Sequence, residues 1–391
     1  MPASIITVWG YATVVFWIVV LVPSLVMMIR KRISRCVPHT DVPEQWPLIS
    51  VIVPAKDEAE TIEVTLNSLL ASDYPRLEII AVNDRSTDET GAIMERVAAE
   101  VKQKNQTTMQ VLQIEELPSD WLGKSHAMHQ GAKIAKGELL LFTDGDIIFN
   151  SKAISHATRI FLHKQLDHIC LLPQLARGGL VEMAFVTFFG FLLTGGTFLW
   201  LVPTRWTFAY IGIGAFNLVR TSVYNSIGGF EAIKLDVLDD IKLGKLIKNH
   251  HYRQDFYLGI EELKVRWQPN AWGVITGVEK NSFASFNYSV VRLTCVMLLY
   301  FIAFILPFFM PFFFPLEQTI GFLITVVLLH LCYGTIAVLF TSGLRVTPLL
   351  FLASLALAFA MGRSAWITLK NGGVRWRNTV YPLDLLKKNL Y

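Results

Sequence analysis

Charge is scarce in this sequence. Only 17% of its 391 residues are Asp, Glu, Lys or Arg, against 53% hydrophobic. With a mean hydropathy of +0.44, that balance excludes an ordinary water-soluble enzyme. Cysteine is sparse as well. Cys36, Cys170, Cys295 and Cys332 are scattered without metal-ligand spacing, which argues against a disulfide framework and against a cysteine-held zinc. His126 and His129 stand three apart, but no acidic or cysteine partner completes a tetrahedral set around them. No internal repeat is visible, so a repeat array is excluded. The net charge of +4 is too modest to point to nucleic acid.

What the chain has instead is long apolar runs. Residues 5–29 carry no charge and are long enough to cross a bilayer core. The run is too long for a signal-peptide core, and no small-residue cleavage site follows it, so it reads as a retained anchor. Residues 293–314, 320–340 and 349–369 are three further candidates, the last interrupted by Arg363. Arg30, Lys31, Arg32 and Arg35 follow the first run directly. The positive-inside rule then puts the next domain in the cytoplasm and the chain in the cell membrane as a multi-pass protein. Basic residues beside the spans are expected to meet anionic headgroups.

Three full spans after a cytoplasmic domain would leave the tail outside, yet the tail is basic (Lys370, Arg375, Arg377, Lys387, Lys388). The segment holding Pro348, Gly362 and Arg363 is therefore expected to be a re-entrant or interfacial hairpin. The expected organisation is an anchor (1–35), a cytoplasmic domain (47–285), membrane segments (290–370) and a basic tail (371–391).

The middle of the chain alternates strand and helix patterns. ISVIV from Ile49 is a β-branched strand, followed by a helix over 59–70, a strand over 77–82 and a helix over 89–104. A strand over 109–114 and a helix over 124–135 lead to the apolar run Leu139-Leu140-Leu141-Phe142. This alternation predicts an α/β domain with a mainly parallel sheet. Acids stand at the ends of three strands: Asp57 with Glu58, Asp84 with Asp88, and Asp144 with Asp146. One acidic strand end is an ordinary turn. Three of them in one sheet point to a cation-dependent or sugar- and base-binding crevice beyond the carboxyl ends of the strands. Asp144 and Asp146, one glycine apart, suit Mg²⁺ or Mn²⁺. Ser86, Thr87 and Asp88 could equally cap the helix that follows.

VIVPAKDEAETI, VNDRSTDET and GKSHAMHQGAKIAKGELLLFTDGDI, in this order and spacing, resemble the nucleotide-binding half of inverting family 2 glycosyltransferases with the GT-A fold. The likeness runs from Ile49 to about Phe149. It implies that Pro54, Ala55 and Glu58 cradle the nucleoside, that Asp84 contacts the base or ribose, and that Lys124 lies near the diphosphate. Asp144 and Asp146 would form the DxD element, with Asp146 the best candidate metal ligand. Asn83 departs from the family, many of whose members carry a second Asp there. Further on, IGIGAFN (211–217), Gly228-Gly229-Phe230 and Val237-Leu238-Asp239-Asp240 resemble the acceptor side. By that match Asp240 is the general base and Asp239 its neighbour. Without the resemblance, a helix N-terminus would explain both acids as well.

The Gln/Arg-x-x-Arg-Trp element of processive members is missing: residues 276–281 read TGVEKN. Transfer of a single sugar is therefore expected. The Glu279-Lys280-Asn281 cluster and GVRWR from Gly373 look like elements of bacterial membrane members, including hopanoid-associated and carotenoid-acid glycosyltransferases.

The apolar insert at 180–203 lies between the metal and base motifs. A span there would separate the two motifs across the membrane, so interfacial helices are expected, with Phe188 and Phe189 lining the way in for a lipid. The resulting expectation is transfer from a nucleotide-sugar, UDP-linked by preference, to a lipid acceptor at the membrane. A polyprenyl-phosphate sugar synthase is the alternative enzyme, although Arg177 and Arg205 are the only obvious basic residues beside the insert. A transporter with a nucleotide-sensing domain is the alternative from another class, and the few charges in the spans argue against it.

Overall fold

The computed structural model describes residues 3–38, 43–104, 108–176, 178–268, 270–340, 343–376 and 379–388. Arg177 and Arg377 lie outside the described residues. The chain divides into two compact units. One comprises residues 31–176, 201–266 and 388–391, and the other residues 1–30, 177–200 and 267–387.

In chain order the elements run α1 (Ala3–Arg30), α2 (Ile33–Cys36), β1 (Ile49–Ala55), α3 (Ile62–Leu70), β2 (Leu77–Asp84), α4 (Thr90–Lys104), β3 (Thr108–Ile114), α5 (Gly123–Ile134), β4 (Leu139–Phe142), β5 (Ile148–Phe149), α6 (Ala153–His163) and β6 (His168–Leu175). There follow α7 (Leu180–Gly196), β7 (Asn217–Arg220), α8 (Thr221–Ser226), α9 (Asp239–Asn249), β8 (Gln254–Val265), α10 (Ala271–Ser285), α11 (Val290–Tyr300), α12 (Leu306–Phe313), α13 (Leu316–Leu339), α14 (Leu350–Lys370), β9 (Gly373–Trp376), β10 (Thr379–Pro382) and α15 (Leu383–Lys388).

The first unit is built on an eight-stranded sheet of order β3-β2-β1-β4-β7-β6-β8-β5. β3, β2, β1 and β4 pair in parallel, and β7 is inserted antiparallel between β4 and β6. This is the mostly parallel α/β sheet that the alternation of patterns required. β1 is buried along its whole length, as a central strand covered by helices on both faces must be. Its side chains alternate between two cores. Ile49, Val51 and Val53 pack with Leu139 and Leu141, whereas Ile52 packs with Leu140 and Phe142 on the other face. β3 at the edge is half exposed.

The basic stretch after α1 is folded into this unit. Lys31 pairs with the buried Asp255, which Lys164 also approaches at 3.3 Å. The Leu258 N–H donates to the Lys31 carbonyl at 2.8 Å. Lys31 therefore faces protein and not lipid headgroups, contrary to the sequence expectation. Burial lowers its pKa, against the opposing pull of Asp255.

Among the described residues, four helical stretches of the second unit are long and apolar enough to cross a membrane: Ala3–Arg30, Val290–Phe313, Leu316–Leu339 and Leu344–Lys370. α1 and α13 run side by side in the same sense, with Gly10 against Gly321 and the Thr13 and Thr325 hydroxyls bonded at 2.8 Å. Close backbone approach through small residues is the usual way apolar helices associate where no hydrophobic driving force exists between them. α11 and α12 run the opposite way. The Trp17 indole donates to the Ala303 carbonyl at 2.8 Å, and Ile6 packs on Met310. Between α11 and α12 lies a π-helical turn, Phe301–Ile305, just ahead of Pro307.

After α13 the chain doubles back. Leu344 and Thr347 return alongside Gly334, Phe351 meets Phe308 and Phe309, and the Tyr300 hydroxyl donates to the Ser354 carbonyl. At its far end α14 packs on α10, where Arg363 pairs with Glu279 at 2.7 Å. α14 thus runs in the same sense as α13, and the link between them must climb back within the unit. Arg363, the charge that interrupted the apolar pattern, is matched by a carboxylate. α10, placed with the cytoplasmic domain in the expected organisation, packs instead on α14 and α7. The tail forms a two-stranded antiparallel hairpin, β9 with β10.

α7, the apolar insert, has 17 residues, short for a span. Phe188 is fully buried among Phe191, Phe304 and Tyr333, so it fills the core of this unit and is not exposed to a passing lipid. Phe189 is half-buried and stacks on Trp267.

Candidate active site

The carboxyl ends of β1, β2 and β4 lie side by side, and the chain leaves each of them into a short loop. Two of these loops are zipped together. Asp57, at a strained φ of +51°, accepts from the Thr87 N–H at 2.7 Å and donates its own N–H to Ser86 Oγ at 3.0 Å. The Glu58 N–H donates to Thr90 Oγ1 at 2.8 Å, and Asp88 accepts from both the Ala59 and Thr90 N–H groups. Asp57, Ser86, Thr87 and Asp88 are therefore occupied in shaping the crevice wall, and Asp88 also starts α4. Arg85, at φ +55°, grips both oxygens of the buried Asp84 at 2.8 and 3.1 Å. Asn83 bonds Gln113 and the Ser86 N–H, which leaves little of its amide for a base. Backbone strain of this kind gathers at binding sites.

Beyond β4, the loop Thr143–Asp146 is pinned from both sides. The Asp144 N–H donates to the Gly214 carbonyl at 3.1 Å, and the Gly145 carbonyl accepts from Thr65 Oγ1 at 3.0 Å. Gly145 packs so closely on β1 that a Cβ there would lie 3.2 Å from Ala55 and 3.3 Å from the Pro54 carbonyl. Pro54 and Ala55 thus support the acidic loop as well as ending the strand.

Lys124, in the first turn of α5, ties the two acidic motifs together. Its ammonium lies 2.7 Å from Asp144 Oδ1 and 3.2 Å from Asp239 Oδ2. Asp144 is the most open of the three at 36% side-chain exposure, against 6% for Asp239, so the cluster is reached from the Asp144 side. Asp240 is held by backbone: its Oδ2 accepts the Gly214 N–H at 2.8 Å and its Oδ1 the Ile241 N–H at 2.7 Å. Gly214 fits only because it lacks a side chain, since a Cβ there would stand 2.5 Å from Asp144 Oδ2. Sequence reasoning passed over this glycine, although the doubled glycines of IGIGAFN were its signal.

The electrostatics are those of crowded acids. Burial opposes the charge on Lys124, but the carboxylates of Asp144, Asp239 and Asp240 outweigh it and raise the pKa well above the usual lysine value. Asp240 is pushed up to about 6 by burial and by Asp239, with Lys124 pulling the other way. Asp146 is pushed up to about 7 by burial and by the charges of Asp144 and Glu58. A buried acid crowded by two others is the setting a divalent cation relieves. Among the described residues no three His, Cys, Asp or Glu side chains gather as a ligand set. A cation here would therefore take few protein ligands and complete its shell with water and phosphate oxygens. Asp144 already holds Lys124, which leaves Asp146 the better placed of the two expected ligands.

Residues 50–241 match the family model Glycosyl transferase family 2. Among curated proteins, 4,4'-diaponeurosporenoate glycosyltransferase of Staphylococcus aureus (strain MRSA252) is 32% identical over 104 residues, which is 27% of this chain and 25% of that relative. The match spans about a quarter of the length of the curated relative. Among solved structures, the mannosyltransferase PcManGT from Pyrobaculum calidifontis in complex with GDP-Man and Mn²⁺ covers 92% of this chain and 98% of its own, at 15% identity and a TM-score of 0.50. At that identity the likeness speaks for the fold alone, and the fold is GT-A.

Proposed function

We propose that this chain, a family 2 glycosyltransferase by the domain it carries, moves one sugar from a nucleotide-sugar to a lipid hydroxyl or carboxyl group with inversion at the anomeric carbon. The observation that carries the reading is Lys124 bridging Asp144 and Asp239. One cation joins the strand-end acids of the donor half to the acidic pair of the acceptor half, so donor and acceptor motifs share a single site. Asp240 takes the acceptor proton. Its raised pKa of about 6 leaves it ionised at neutral pH yet more basic than an ordinary aspartate, which suits a general base. Two backbone N–H groups fix its carboxylate in place. Lys124 sets the charge of the cluster and offers an ammonium to the departing diphosphate. Asp146 would hold a Mg²⁺ or Mn²⁺ ion, which when bound offsets diphosphate charge as a Lewis acid. Asp84, Pro54, Ala55 and Glu58 line the nucleoside end.

A UDP-sugar is the preferred donor on the family resemblance. The lipid acceptor is supported by the four apolar stretches in the same chain and by the carotenoid-acid substrate in the name of the relative. By the positive-inside rule the catalytic unit, which begins directly after Arg30, lies in the cytoplasm. A polyprenyl-phosphate acceptor, like a lipid carboxylate, is already an anion and would leave Asp240 no proton to take, so a lipid hydroxyl stands first.

The test is to incubate membranes containing the full chain with labelled UDP- and GDP-sugars and Mn²⁺ or Mg²⁺. Lipid-extractable label is expected with one donor and should vanish in both Asp146→Ala and Asp240→Ala. Label that persists in both variants would overturn the mechanism.

A further inference from the structure

Beneath the loop that carries Gly214 runs a buried polar chain with no part in the chemistry above. His168 on β6, Asn217 on β7 and Gln254 on β8 are 0%, 1% and 2% exposed. Three polar side chains in an apolar sheet core are costly unless every one is bonded. Here they are. Gln254 Oε1 accepts the Ile211 N–H at 2.9 Å, and its Nε2 donates to the Gly244 carbonyl at 3.0 Å. The same Nε2 donates to His168 Nδ1 at 2.8 Å, while His168 Nε2 faces Asn217 Oδ1.

The bonding pattern has a single consistent reading. Asn217 Oδ1 can only accept, so His168 carries its proton on Nε2 and accepts through Nδ1. A reversed Gln254 amide would set two donors against each other at Ile211 and two acceptors at Gly244. Burial depresses the His168 pKa to about 4, which keeps the imidazole neutral, as this pattern needs.

The two ends of the Gln254 amide land on the two backbones that hold Asp240. Ile211 opens the loop whose Gly214 N–H binds the Asp240 carboxylate, and Gly244 lies one turn along α9 from Asp240. Loop and helix touch backbone to backbone: a Cβ on Gly212 would strike the Asp240 carbonyl, and one on Gly244 the Ile211 carbonyl.

We propose that Gln254 is a positioning residue for Asp240, its amide clipping the 211–214 loop to α9, and that His168 with Asn217 fixes which way that amide faces. The inference rests on Asp240 being the base. Gln254 does not touch Asp240; it acts through the backbone on either side. An apolar residue of similar size would fill the space but release the clip, and a small displacement of a catalytic group costs rate out of proportion to stability.

The experiment uses the full chain in membranes with whichever of the labelled UDP- or GDP-sugars supports transfer and compares Gln254→Leu, His168→Leu, His168→Gln and Asp240→Asn. Gln254→Leu is expected to lower kcat by roughly tenfold to a hundredfold while the donor KM stays within about twofold. His168→Leu should fall in the same direction. His168→Gln, which can still accept from Gln254 and donate to Asn217, should recover most of the loss. Wild-type kcat in Gln254→Leu would overturn the proposal. So would a His168→Gln no better than His168→Leu, a comparison that stands even if Gln254→Leu does not fold. Asp240→Asn separates the two layers. If it retains transfer, the base assignment falls and this inference with it. If it is inactive while Gln254→Leu is fully active, this inference alone fails.

Discussion

One ammonium set against three carboxylates decides how this site responds to pH. As the proposed base, Asp240 must be ionised to act, and its pKa is pushed up to about 6. Transfer should therefore be weak below that value and rise to a plateau as pH increases through it, read as initial rates across roughly pH 5 to 8. Lys124→Met removes the charge that pulls Asp240 down, so the rise should move to higher pH, with rate partly recovered in alkali. An unmoved limb would show that Lys124 does not set the base. Asp146, pushed up to about 7, must lose its proton to hold a cation. Mn²⁺ should therefore bind more tightly at pH 8 than at about pH 6 and release a proton when it does, measurable by calorimetry in two buffers. At this scale the sequence was legible where chemistry dictates residue type. The acids and Lys124 were all named from pattern and resemblance. Partners were not legible. That Arg85 grips Asp84 and that Asp57 serves Thr87 depend on which loops lie side by side, and strand pairing decides that.

Among the elements, strands and helices of the catalytic unit fall within a few residues of the sequence reading, because β-branched runs and 3.6-residue periodicity are local properties. The two-stranded tail was missed. Val374 and Trp376 do alternate with arginines, but two strands of four residues are too short for the pattern to stand out in a basic tail, and pairing between β9 and β10 supplies what the pattern lacks. The α1–α13 contact offers a direct test of helix association. Gly321→Leu would drive a side chain into the Gly10 backbone, where even a Cβ meets the Gly10 carbonyl carbon at 2.5 Å. It should lower the melting temperature of the detergent-solubilised protein by several degrees, as a loss on the order of 1–2 kcal/mol would. Gly362→Leu is the control, since a Cβ at Gly362 meets nothing within 4 Å. Equal loss in both would mean that the Gly10–Gly321 approach carries no special weight.

At the scale of the whole molecule the question is where the chain ends up. α14 runs in the same sense as α1 and α13, so its last turn should return to the membrane face that α1 reaches at Arg30, and the basic tail should be cytoplasmic. A C-terminal reporter is expected to stay unlabelled in intact cells and to label after permeabilisation; labelling from outside would reject this topology. Composition, apolar stretches and strand-end acids by themselves indicated runs long enough to cross a membrane, an α/β centre, and an acidic crevice at the strand ends. Each of these follows from residue type and local spacing. Only the tertiary structure decided that Lys124 joins Asp144 to Asp239, that Gly214 holds Asp240, and that Gln254 clips the loop to the helix. Those contacts join residues tens of positions apart, and nothing in local pattern records which distant backbone will approach. The same limit hid the fate of Lys31 and Arg363. A charge beside or within an apolar run looks destined for the headgroups until the fold brings Asp255 or Glu279 to meet it.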